Sequence, residues 1–158
     1  MLFPVAVVLG LAAPVLVLTG ITSPPATLTH PAIGVAGLVL AVAGVVLVLV
    51  AQAQMGTSWR IGVDEGERTT LVTDGLFHHV RNPIFTGMGA VAAGMLLMVP
   101  TMAALLALAC LVAALEIQVR VVEEPYLRRT HGPEYAAYAA GSGRFLPTLK
   151  GRGTTRTG

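Results

Sequence analysis

The chain has 158 residues, of which 54% are hydrophobic and 11% charged, against roughly 25% charged in ordinary soluble domains. With a mean hydropathy of +0.76, a domain of this length cannot cover its apolar surface with so few polar residues, and the bilayer must act as solvent for the excess. The formal net charge of +2 hides an asymmetry: no Lys, Arg, Asp or Glu precedes Arg60, and all ten cations lie at or after it. Cations set between and beyond apolar stretches read as membrane topology, not as the single basic face of a nucleic-acid binder, so no nucleic-acid partner is expected.

A transmembrane helix needs about 20 predominantly apolar residues. The first candidate span covers about residues 2–18, with Pro14 as a predicted kink. It lacks the positive n-region of a cleaved signal peptide and no persuasive small-residue cleavage site follows, so it is expected to be a genuine span. The second covers about residues 32–51 and carries no charge, the third about 84–99, and the fourth about 102–119. Pro100 and Thr101 leave only a tight turn between the last two, and the third is short enough to be tilted or re-entrant. Gly34, Gly37 and Gly44 in the second span, with Gly87, Gly89 and Gly94 in the third, predict close helix packing; the alternative is room for a lipid tail. Cys110 lies in an apolar run and reads as a small core residue.

Orientation follows from the cations. Residues 21–31 have none, nor does the turn at Pro100, whereas the loop 52–82 and everything after Val119 are basic. Both polar segments, and with them both termini, are therefore expected on the cytoplasmic side of the inner membrane. Of the eight aromatics all but Phe3 fall in these segments or at the mouth of the third span, as interfacial anchors or a pocket at the membrane surface would require. The fold expected is an all-α integral membrane protein of about four spans. It forms a single domain over residues 1–150, in which the cytosolic loop and a C-terminal helical segment build a pocket. Residues 151–158 are Gly, Thr and Arg alone and are expected to be disordered.

The loop of about 31 residues is long for a compact bundle, and loops of that length are functional or disordered; its apolar and aromatic residues argue for function. Asp74-Gly75 reads as a turn. Asn82 and Pro83 read as the N-cap and first residue of the third helix, with the Asn82 side chain free to satisfy an orphan N–H. After the helical hairpin come Glu123-Glu124-Pro125-Tyr126 and Gly132-Pro133-Glu134-Tyr135-Ala136-Ala137-Tyr138. Taken alone, the acids could pair with nearby Arg residues and the tyrosines could anchor at the interface.

Taken in order, Leu71-Val72-Thr73-x-Gly75-x-Phe77, then Arg81-x-Pro83-x-Phe85 opening a helix, then a hairpin, Glu123-Glu124 and Gly132-x-Glu134-Tyr135-x-x-Tyr138, resemble the isoprenylcysteine carboxyl methyltransferase family. They resemble more widely the membrane methyltransferases that include phospholipid and thiol methyltransferases. The resemblance covers about residues 55–147 and implies a cytosol-facing pocket for S-adenosyl-L-methionine. Carried over by position, it implies cofactor contacts from Thr69, Thr70, Leu71 and Val72, from Phe77, from Asn82, Pro83, Ile84 and Phe85, and from Glu123. Arg120, displaced by one residue from the family's substrate-facing Arg, is the substrate-binding candidate; a snorkelling interfacial Arg is the competing reading. Asn82 stands where the prenylcysteine enzymes carry His, and Phe77 and Phe85 replace tyrosines. Asn donates and accepts hydrogen bonds but cannot shuttle a proton near neutral pH, so the family's prenylcysteine substrate does not carry over.

Methyl transfer from a sulfonium is an in-line displacement that needs alignment and a nucleophile rather than a metal. The implied partners are membrane lipids and a lipophilic or small-molecule acceptor, as carboxylate, amine or thiol. Three rival readings are weaker on the residues, the first of them, a purely structural, non-enzymatic membrane protein, because it leaves the long cytosolic motifs unexplained. A transporter needs an ionisable group deep in the membrane, and the one charge within a span, Glu116, lies near its cytosolic end. A nicotinamide-dependent reductase of the sterol-reductase type needs more anion-binding groups than are visible, and no Gly-rich phosphate loop occurs.

Overall fold

The computed structural model describes residues 1–56 and 71–148; Thr69, Thr70 and the tail 151–158 lie outside the described residues. Among the described residues six α-helices follow in order: α1 Leu2–Leu18, α2 Pro31–Met55, α3 Leu76–His79, α4 Pro83–Met98, α5 Met102–Ile117 and α6 Glu124–Gly141. A π-helical stretch, Gln118–Glu123, joins α5 to α6. Among the described residues there is no strand, only one parallel bridge between Val80 and Gly143.

Local chemistry explains the helix boundaries. Pro14 sits inside α1 without ending it. His30 caps α2, its Nδ1 accepting from the Ala32 N–H at 3.2 Å, and Pro31 follows at the first helical position, where a missing N–H costs nothing. Thr101 caps α5 by accepting from the Ala104 N–H at 3.3 Å. The α6 stretch is two helices joined across a kink: at Gly132 the backbone turns to φ +51°, a left-handed conformation that favours glycine, and Pro133 restarts the helix.

The second span expected at 32–51 is a turn longer, because Gln52, Ala53, Gln54 and Met55 continue the helix beyond the last aliphatic residue. By length and composition α2 and the continuous run from Met102 are able to cross a membrane, while α1 and α4 are shorter apolar helices. Apolar side chains such as Val35, Val39, Val42 and Val46 on α2, and Leu105 and Val112 on α5, are exposed. A water-soluble fold would cover such a surface.

The helices are arranged as an open arc. α1 packs on α5, α5 on α4 and α4 on α2, while α1 and α2 make little contact with each other. The α2–α4 contact is made backbone to backbone. A Cβ on Gly44 would meet the Gly87 carbonyl at 2.7 Å, and one on Gly94 would meet the Ala41 amide at 2.7 Å. Gly37 faces Gly94 and Gly44 faces Gly87 in two reciprocal pairs, so the close-packing expectation holds for these four. Gly34 and Gly89 have nothing within 4 Å of an added Cβ and take no part.

Candidate functional site: a polar cap on the apolar arc

At the end of the arc formed by the α2 C-terminus and the α4 N-terminus, the polar segments gather into a cap. Its centre is Glu124, buried at 7% exposure. Arg144 grips it in the bidentate manner, Nε donating to Oε1 at 2.8 Å and Nη2 to Oε2 at 3.0 Å. Arg81 adds a third contact from Nη2 to Oε1 at 3.3 Å. Charge-assisted, planar pairs of this kind are the strong hydrogen bonds of proteins. The Arg144 guanidinium holds the Glu124 carboxyl below the usual carboxylate range.

Arg81 also spends its Nη1 on the carbonyls of Ala139 at 2.8 Å and Ser142 at 2.5 Å. The segment after α6 is thereby tied to the start of α4. The Arg81 amide donates to the Gly143 carbonyl at 2.7 Å, the Gly143 amide to that of His79 at 3.1 Å, and the Asn82 amide to that of Arg144 at 3.1 Å. Thr86 closes the seam by donating from Oγ1 to the Phe145 carbonyl at 2.6 Å. On the other side the Tyr138 hydroxyl donates to the Phe77 carbonyl at 2.6 Å; burial pushes that hydroxyl up, which keeps it a neutral donor. α3 is fixed to α2 through Gln54, whose Oε1 accepts from the Leu76 amide at 2.8 Å.

The residues singled out by sequence fall into distinct places. Leu71 and Val72 are half-buried in the loop leading to α3, and Phe77 is buried within α3. Asn82 holds the N-cap position of α4 but makes no side-chain cap. Its Nδ2 donates to the Arg144 carbonyl at 3.1 Å, which ties the C-terminal segment to the start of α4. Pro83 is fully buried at the first turn and Ile84 half-buried. Phe85 turns towards the apolar interior and packs with Met88 against Ala6, Leu111 and Leu115.

Glu123 is half-buried at the end of the π-helical stretch, its carboxyl pushed up chiefly by that burial, with Gln118 as its hydrogen-bonding partner. π-Helical turns are rare and frequent at functional sites. Arg120 is exposed and pairs with Glu116 one turn earlier, which is the interfacial behaviour set against its substrate role above. Glu123 immediately precedes Glu124, and Glu124 holds the residue before Asn82. The structure therefore brings Phe77, Asn82, Pro83 and Glu123 to one end of the molecule.

Glu124, Arg81, Arg144 and Tyr138 were not singled out by residue type. Glu124 looks identical to Glu123 in sequence, and its partners lie 20 and 43 residues away. The one available signal was that Arg81, Glu124 and Tyr138 lie within the ordered motifs themselves.

An apolar arc of helices carrying a polar, charge-locked cap at one end is the architecture of an enzyme or binding protein working at a membrane surface. The family model described as phospholipid methyltransferase matches residues 33–134, from α2 through the restart of α6. The chain belongs to this family of membrane methyltransferases. No curated protein and no solved structure matches it.

Proposed function

We propose that this chain is an S-adenosylmethionine-dependent methyltransferase that modifies a lipophilic acceptor at the cytosolic face of the cytoplasmic membrane. The observation that carries the proposal is the family match over residues 33–134, which spans the α4 turn, the hairpin and Glu123, the elements around which the cap is built.

The donor set suits the cofactor. A half-buried carboxylate whose charged form is disfavoured, as at Glu123, gains most from a cationic or hydroxyl partner, and the methionyl ammonium and ribose hydroxyls are such groups. Thr69, Thr70, Leu71 and Val72 supply the loop side of the pocket, Phe77 an aromatic face, and Asn82, Pro83, Ile84 and Phe85 the turn beside it. Arg120 is assigned to the acceptor. S-adenosylmethionine supplies the methyl group as a sulfonium. The chain's own contribution is alignment and exclusion of water: Glu124 and the two arginines hold the turn at Asn82 in place, and the apolar face at Phe85 keeps the acceptor side dry.

In this reading the four apolar helices α1, α2, α4 and α5 all span, with both termini cytosolic, because every Lys and Arg lies in segments of one side. A reporter fused after Gly158 should then read as cytosolic and one inserted near Thr27 as external; both on one side would overturn the four-span topology. The activity is tested by supplying methyl-labelled S-adenosylmethionine to membranes with and without the protein and following label into the lipid extract. Label that appears only with the protein supports the proposal. No protein-dependent label, with NADPH oxidised instead, would replace it by a reductase.

A further inference from the structure

The turn that carries α2 past its apolar run, from Gln52 to Met55, reaches the start of α3. Gln54 is exposed there, and its Oε1 accepts from the Leu76 amide at 2.8 Å, across 22 residues of sequence. The Gly75 backbone lies against the same side chain. A Cβ on Gly75 would meet the Gln54 Oε1 at 2.5 Å and its Cδ at 2.8 Å, and Gly75 has φ +60°. A larger residue at that position would strain the backbone and push Gln54 off the Leu76 amide.

α3 has only four residues, too few to hold a helix without tertiary contacts. It is tied at both ends. At its exit, the Tyr138 hydroxyl donates to the Phe77 carbonyl at 2.6 Å, and Val80 bridges to Gly143. At its entry, among the described residues, the tie from another helix is Gln54. Phe77 lies between the two ties, at 7% exposure. An exposed hydrogen bond adds little to stability, because water replaces it when it breaks. What this bond fixes is direction.

We infer that Gln54 is a positioning residue: through the Leu76 amide it sets the orientation of α3, and with it the place of Phe77 beside the cofactor. The word cofactor rests on the methyltransferase reading, while the tether on Phe77 rests on geometry alone. Gln54 acts on where the Phe77 ring sits and not on whether the protein folds.

The test uses the full-length protein in detergent with para-fluorophenylalanine incorporated at position 77 and read by fluorine NMR. S-adenosylhomocysteine affinity and thermal unfolding are measured in parallel. The wild type should give one fluorine line. Gln54→Leu removes the acceptor and keeps a good helix former. It should shift or broaden the line and weaken S-adenosylhomocysteine binding about fivefold, the scale of one hydrogen bond, with the thermal midpoint unchanged. Gln54→Met serves the same purpose should the first variant not fold. Gln54→Glu, which retains an oxygen acceptor, should restore both the line and the affinity. In a Phe77→Leu background, Gln54→Leu should weaken binding no further, because both act through one ring. Unchanged affinity in Gln54→Leu, or the same loss with and without Phe77, would overturn the positioning role. A fluorine line that responds to Gln54→Leu in a protein whose wild type binds no S-adenosylhomocysteine would keep the tether and overturn the methyltransferase reading instead.

Discussion

The apolar arc and the polar cap are held together by opposite means. Between α2 and α4 there is hardly a side chain at the closest points: paired glycines bring two backbones together. In a bilayer, lipid tails are as apolar as the helices, so burial gives no drive for association and close van der Waals contact must supply it. In the cap, one buried carboxylate and two guanidiniums gather three segments distant in sequence. There, the buried carboxylate of Glu124 is offset by the guanidiniums of Arg81 and Arg144, although the Arg81 Nε is buried without a partner among the described residues, and loss of either side would leave a buried charge unpaired. The arc therefore tolerates changes on its outer faces and none at its glycine pairs, whereas the cap tolerates none of its charged members being lost singly.

The sharpest way to break this contrast is at a glycine pair. Gly44→Leu, aimed at the Gly87 carbonyl and the Val91 amide, should cost the top of, or more than, the about 1–3 kcal/mol typical of overpacking. Gly89→Ala, with nothing within 4 Å, should be neutral or stabilising by up to about 1 kcal/mol, since glycine disfavours a helix interior. Thermal unfolding in detergent measures both; equal losses would mean that the pairs do not hold the arc.

Next in size is Glu124→Gln, which leaves Arg81 and Arg144 without their carboxylate and should cost about 2–3 kcal/mol. Its folded pKa is lowered, so its stabilisation is complete above about pH 5, beyond the unfolded value near 4.3. It is lost as pH falls through the lower folded value. Unfolding followed from pH 7 to pH 3 should show this loss in the wild type and not in the variant. Tyr138→Phe, which removes only the bond to the Phe77 carbonyl, should cost about 1 kcal/mol.

The arc was legible in the sequence because its signals are local. Residues 2–18 emerge as α1 with the expected ends, and six glycines on two helices predicted a close contact that four of them make. The cap was legible only as a set of ordered motifs. Which of two adjacent glutamates is buried depends on how the π-helical stretch turns the chain before α6, and no periodicity encodes that. Asn82 was expected to cap α4 but binds Arg144, because a segment 62 residues later arrives at the same place.

The two glutamates give the finest contrast and the most direct test. Glu123 has its pKa shifted the other way, upward by burial. The fold therefore favours its neutral form, and the stability it contributes is lost as pH rises through its folded value. A carboxylate whose charged form is disfavoured by burial gains most when a cationic ligand group arrives beside it. The decisive measurement is calorimetry of S-adenosylhomocysteine binding to the wild type and to Glu123→Gln at neutral pH. The account predicts one site per chain in the wild type. It predicts at least tenfold weaker binding in the variant, as loss of a charge-assisted hydrogen bond of about 1.5–3 kcal/mol implies, with no loss of thermal stability. No heat from the wild type at millimolar ligand, or unchanged affinity in a folded Glu123→Gln protein, would contradict it.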